Sequence, residues 1–163
     1  MRDDTDCRCY VDHLIAEHRR LHGCLRQMRV ALAHSLGSGD SPSFAPVEHS
    51  LSRLREELAR HFAEEDAGGC LEEAVSRCPR LAAEAGRIEA EHPQILADLD
   101  RLAAKTRQLA ATHEHQLAVE RDFERLCQRL REHEKAENSL LAQGFGIAIN
   151  GEDTARRPLI LDV

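Results

Sequence analysis

The sequence has no tryptophan, one tyrosine and four phenylalanines, so aromatic residues make up only 3% of its 163 positions. The cores of β-sandwiches and barrels are rich in aromatic and β-branched residues, and this composition therefore excludes those folds. Long uncharged runs are also missing. The longest, residues 139–151, contains glycines and polar residues, which excludes a transmembrane helix. The opening residues MRDDTDCRCY have charges and no apolar stretch, so we expect no secretory signal.

The charge balance and the cysteines restrict the partners and the compartment. A formal net charge of −7 argues against a surface for nucleic acid or for anionic membranes. Six cysteines in a chain without a secretory signal are expected to be reduced thiols in the cytoplasm. The pair Cys7 and Cys9 has two interpretations, a redox or metal-binding handle and two ordinary free thiols.

Apolar residues recur at steps of three and four along four segments, which is the pattern of helices that face partner helices. We call this apolar stripe on each helix the seam. The segments are separated by a loop over residues 37–46, a looser break at residues 68–79, and a weak break at residues 112–115. One domain, an all-α up-down-up-down four-helix bundle over residues 1–146, is predicted, followed by an extended tail over residues 147–163. The tail is expected to pack on the bundle or on a neighbouring chain, because its end is apolar.

Polar side chains replace leucine or isoleucine at a few positions of these seams. Each seam has one histidine, and two seams have a glutamate one turn further on; the six residues are His18, His61, Glu65, His92, His133 and Glu137. With a rise of about 1.5 Å per residue, the four imidazoles fall at one level of an antiparallel bundle. Buried carboxylates need compensation, and a metal centre supplies it. This donor set suits iron, manganese or zinc, and each carboxylate could bridge two ions.

Other candidates lie beside the seams. His13 and Glu17 have the same spacing as the seam pairs but are predicted to face outward, so Glu17→Ala is expected to retain the metal. Pro93 lies within the third seam. It predicts either a kink beside the metal or the start of a new helix, and the unbroken phase of the apolar pattern favours the kink.

The order and spacing of four short motifs resemble the hemerythrin-like (HHE cation-binding) family over about residues 10–142. The motifs are Glu17-His18-Arg19-Arg20-Leu21, His61-Phe62-Ala63-Glu64-Glu65, Glu91-His92 and His133-Glu134-Lys135-Ala136-Glu137. The resemblance implies two iron ions joined by an oxo or hydroxo bridge, with the four seam histidines as nitrogen ligands and the two seam glutamates as bridges.

The third helix differs from the oxygen-carrying hemerythrins, which have two histidines one turn apart there. Ile88 and Leu96 lie one turn either side of His92, so the centre resembles a histidine-poorer branch in which His22 or Glu89 could supply a further ligand. Three functions remain open. They are binding or sensing of oxygen or nitric oxide, repair of iron centres or handling of peroxide, and a helical interaction module with a structural metal or none.

Overall fold

The computed structural model describes residues 4–35 and 43–147, with the side chains of Cys9 and of residues 11–35 and 43–147. Within these residues the chain forms six α-helices and one short 3₁₀ turn, Pro79–Leu81, and no strand. The helices are α1 (Asp4–His34), α2 (Ala45–Asp66), α3 (Cys70–Arg77), α4 (Ala82–Glu89), α5 (His92–Gln108) and α6 (His113–Phe145). The predicted tail lies almost entirely outside the described residues.

The four long helices form a closed ring of neighbours. Helix α1 packs on α2, α2 on α5, α5 on α6, and α6 returns to α1. Since consecutive long helices are also spatial neighbours, the chain runs up and down around one core, and the predicted all-α four-helix bundle is confirmed. No helix in the described part of the chain has both the length and the apolar character needed to cross a membrane.

Helix ends follow local sequence signals. Pro46 lies in the first turn of α2, where a missing backbone N–H costs nothing. The Thr112 side chain accepts a hydrogen bond from the backbone N–H of His115 at the start of α6. Gly146 ends that helix with φ of 65°, a left-handed conformation that glycine adopts without strain.

The region of the second predicted break contains the short helix α3, which the seam pattern did not reveal. Cys70, Leu71 and Ala74 of this helix are buried against the end of α6. The approach is close, because a Cβ on Gly144 would lie 2.5 Å from the Ala74 Cβ. A helix of eight residues has too few turns to show a recognisable seam, which explains the omission.

The third seam is divided between α4 and α5. Ala90 and Glu91 separate the two helices but keep right-handed helical torsion angles, and Pro93 lies in the first turn of α5. A new helix therefore begins at His92, although the buried stripe continues in phase from Ile88 to Ile95. The start of a helix at His92 agrees with one interpretation of Pro93, and the in-phase stripe agrees with the observation that favoured the other.

Two apolar clusters lie along the bundle. The larger contains Leu21, Leu58, Ile95 and Leu130, and the smaller contains Leu14, Leu71, Ile88, Leu140 and Leu141. On α1 and α6, the polar seam residues fall between the part that enters the larger cluster and the part that enters the smaller one. On α2 and α5 they lie near the helix end next to α3 and α4, which supply residues of the smaller cluster. The bundle thus has a buried polar layer between two apolar layers.

Candidate metal centre

The buried polar layer brings together all six residues that the seams single out. All six are buried, and Glu137 and His133 are the most enclosed, at 0% and 1% exposure. They form two overlapping sets whose ligand atoms lie within 4.8 Å of one another. Set A contains His18, His61, Glu65 and Glu137, and set B contains Glu65, His92, His133 and Glu137. Each set has two imidazoles of its own, and both sets share the two carboxylates.

Glu137 spans the two sets with its two oxygens. Its Oε2 lies 3.2 Å from the Nε2 of His18 in set A, and its Oε1 lies 2.8 Å from the Nε2 of His133 in set B. One carboxylate therefore presents a separate oxygen to each pair of imidazoles.

Glu65 does the same from the opposite side. Its Oε1 lies 3.5 Å from the Nε2 of His61, and its Oε2 lies 3.3 Å from the Nε2 of His92. Two carboxylates that each reach both sets have the arrangement expected of bridges between two cations.

Most of these inward atoms lack a hydrogen bond, although they lie close together. Among the described residues no hydrogen-bond partner is present for the Nε2 atoms of His18, His92 and His133, for Glu65 Oε2, or for either oxygen of Glu137. Buried polar atoms without partners are costly and rare, and six at one place require an explanation. Metal bonds of about 2.0–2.2 Å would hold neighbouring ligand atoms about 3 Å apart without hydrogen-bond alignment. The residues therefore fit a bound metal.

The outward nitrogens of three imidazoles are held by carboxylates. The Nδ1–H of His61 donates to Glu17 Oε2 at 3.1 Å, and that of His92 donates to Asp66 Oδ1 at 2.8 Å. The Nδ1–H of His133 donates to Glu91 Oε2 at 2.9 Å. A proton on Nδ1 leaves the Nε2 lone pair facing the centre, which is the tautomer that a metal requires.

These three carboxylates are functional candidates that the seam analysis missed. Each is the immediate sequence neighbour of one of the six seam residues, and each bonds an imidazole on the next helix. The expectation that Glu17 faces outward was wrong, because its side chain is only 4% exposed and lies between α1 and α2. Their position next to a polar seam residue is a sequence signal that could have found them.

His22 and Glu89, considered above as additional ligands, belong to neither set in the described part of the chain. The Nε2–H of His22 donates to Glu134, with distances of 2.9 and 3.1 Å to the two oxygens. Glu89 is exposed. The side chain of Cys7 lies outside the described residues, so the interpretations of the Cys7–Cys9 pair remain predictions.

Burial and mutual repulsion affect the protonation of the layer. Burial, and then the charge of nearby Glu137, raise the pKa of Glu65 to about 10. Burial also opposes ionisation of Glu137, but contacts with His133 and His18 outweigh it and lower the pKa of Glu137. Burial lowers the pKa values of His61 and His92, which favours their neutral, metal-binding form. A cation between the two carboxylates would favour the ionised form of both.

One of three comparisons with known proteins gave a match. Searches of curated proteins and of solved structures gave no match. The model of the hemerythrin HHE cation-binding domain matches residues 9–143, nearly the range over which the four motifs suggested the resemblance. That range contains all four long helices almost completely and every residue of the polar layer. The chain therefore belongs to the hemerythrin HHE cation-binding domain family.

Proposed function

We propose that the protein holds two iron ions in its polar layer and binds or senses oxygen or nitric oxide there. The proposal is carried by one observation, the pair of carboxylates that each direct one oxygen to set A and the other to set B. In this proposal His18 and His61 hold one ion, His92 and His133 hold the other, and Glu65 and Glu137 bridge them.

The donor set supports a redox metal with free coordination positions. Each ion would receive two imidazole nitrogens and two carboxylate oxygens from the protein, whereas iron commonly takes more ligands than four. When bound, iron would supply reversible electron transfer to a small ligand at those positions. The six protein ligands would hold the ions, and the carboxylates on the outer nitrogens would fix the imidazoles.

The surroundings favour a small and uncharged ligand. Phe62 stacks on the His92 ring at 4.2 Å between centroids and meets the His133 ring edge-on at 5.4 Å. Leu14 and Ile88 belong to the apolar cluster on the other side of the layer. A charged ligand would lose its hydration between these apolar layers, at a large cost in free energy. Oxygen and nitric oxide are uncharged, so the cost of their desolvation is small.

The test is metal analysis and a spectrum of the protein purified from iron-replete cells. We expect iron in the preparation, together with a visible or near-ultraviolet spectrum that changes when nitric oxide or oxygen is added to the reduced protein. Zinc at the same stoichiometry would leave the site but refute the redox function. Rapid turnover of hydrogen peroxide, without a stable complex of either gas, would favour the alternative of a peroxide-handling protein.

Matched variants separate the centre from the rest of the bundle. His133→Ala removes a ligand of set B, whereas His22→Ala removes a histidine that pairs with Glu134 outside both sets. The proposal requires that only the first variant loses the spectral response.

A further inference from the structure

Glu17 differs from the other two carboxylates that hold outer nitrogens. Its side chain is 4% exposed, whereas those of Asp66 and Glu91 are 54% and 41% exposed. Water screens the charge of the two exposed carboxylates, but a buried charge acts on its neighbours at a lower effective dielectric constant. Of these three outer carboxylates, Glu17 is therefore the one whose charge is screened least by water.

The two oxygens of Glu17 have different neighbours. Oε2 accepts the hydrogen bond from His61, while Oε1 accepts one from Arg20 at 3.0 Å and lies 4.0 Å from Arg60. His13 also approaches Oε2, at 3.7 Å. The two guanidinium groups, about half-exposed, lie on the outer side of the carboxylate, and the buried His61 imidazole lies on the inner side. These contacts fix the carboxylate in one orientation.

The contacts of the carboxylate are those of an ionised group. It accepts hydrogen bonds from the Arg20 guanidinium at 3.0 Å and from His61 at 3.1 Å, and a second guanidinium, that of Arg60, lies 4.0 Å away. A permanent acceptor of this kind keeps the proton on Nδ1 and increases the electron density at Nε2, which makes the imidazole a stronger metal ligand.

We propose that Glu17 is a positioning residue that orients His61 and, through its buried charge, sets the affinity for the cation held by set A. The inference rests on the proposed function, because it assumes that set A holds a metal. Its consequence is that the two ions are unequal even though each has two imidazoles. The ion of set A depends on a buried charge, and the ion of set B depends on two carboxylates that water screens.

The test uses the full chain without metal, titrated with cobalt(II) in competition with a chelator. Glu17→Gln retains the volume and one oxygen that accepts the Nδ1–H bond, while it removes the charge and places an NH₂ group toward Arg20. The Arg20 side chain is about half-exposed, so water replaces its lost contact at little cost in stability. We expect the affinity for one of the two cobalt ions to fall by about 10- to 100-fold. The affinity for the other ion should change less. The melting temperature of the metal-free variant should equal that of the wild type, which a merely structural role would not give.

Glu64→Gln is the matched control. Glu64 also approaches His13, at 3.3 Å, but it contacts no residue of set A or set B among the described side chains. The affinities of this variant for both cobalt ions should therefore be unchanged. Asp66→Asn should cost less than Glu17→Gln, because Asp66 is exposed.

Equal affinities in Glu17→Gln and the wild type would overturn the inference and leave the proposed function intact. An equal loss in both steps, or in Glu64→Gln, would also overturn it. A wild type that binds two cobalt ions but is purified without iron would refute the proposed function while the role of Glu17 is still measured.

Discussion

Glu65→Gln tests the bridging arrangement most directly, because Glu65 belongs to both sets. The amide has the same size and retains one oxygen, but its NH₂ group cannot bind a cation beside His61 or His92. We expect the metal content to fall from about two ions per chain to one or fewer. At free metal about 1,000-fold above Kd, one bound ion stabilises the fold by about 4 kcal/mol. For a chain of this length, that loss corresponds to a fall of about 8–16 °C in Tm.

In the metal-free protein, Glu65→Gln is expected to change Tm in the opposite direction. Glu65 is only 6% exposed and lies beside Glu137, so a neutral amide in its place avoids burying two acidic groups together. The metal-free variant should melt at or above the Tm of the metal-free wild type, as measured by circular dichroism after chelation. Glu64→Gln, one residue away and exposed, is the control for both forms. A variant that melts early with and without metal would refute the reasoning, because Glu65 would then be needed for packing alone.

Further predictions concern the metal, the first helix, the close contact and the tail. The purified protein should contain about two iron ions per chain and an absorption band of a bridged centre in the near ultraviolet; well below one ion per chain would contradict this. His18→Ala should reduce the iron content, and His22→Ala should leave it unchanged, as measured by metal analysis. Gly144→Ala should destabilise the protein by about 1–3 kcal/mol in urea titrations, because its methyl group would meet Ala74, while the iron content stays unchanged. Truncation after Gly146 should lower Tm or change the oligomeric state without loss of iron, and rapid protease trimming with no such effect would contradict it.

The fold was predictable because four long seams are a strong and redundant signal. Each seam has several buried residues in phase, as in Val47, Leu51, Leu54 and Leu58 of α2, so one exception does not hide the pattern. Helix α3 was missed for the opposite reason. Its burial depends on the close approach of α6 at Gly144, which is a tertiary contact between residues far apart in the sequence.

The inner part of the candidate site was predictable for the same reason as the fold. A histidine or glutamate at a seam position must be buried, and the rise of the helix sets its level. The structure accordingly brings His18, His61, His92 and His133 to one layer with both glutamates. Which metal they hold is a matter of affinity and supply, so it stays a proposal.

The outer part was missed because Glu17 was expected to face outward and Asp66 and Glu91 do not lie on a seam. One step along an α-helix is a rotation of about 100°, which in a four-helix bundle turns a side chain toward a neighbouring helix. Glu17 on α1 thus reaches His61 on α2, and Asp66 at the end of α2 reaches His92 on α5. Glu91, directly before α5, reaches His133 on α6.

A fourth contact of this kind, from α6 to α1, closes the ring but involves a different histidine. Glu134, next to His133 on α6, reaches back to α1, but it bonds His22 and not the seam histidine His18. Three imidazoles of the layer therefore have an acidic partner from the preceding part of the ring, while the fourth acidic residue holds a histidine one turn further along α1.

In this bundle the acidic residue that reaches the next helix precedes the seam residue at α1 and α5 and follows it at α2 and α6, which run in the opposite direction. Glu132, on the other side of His133, is exposed. The alternation would have placed Glu17 correctly, since it depends only on the order and direction of the helices.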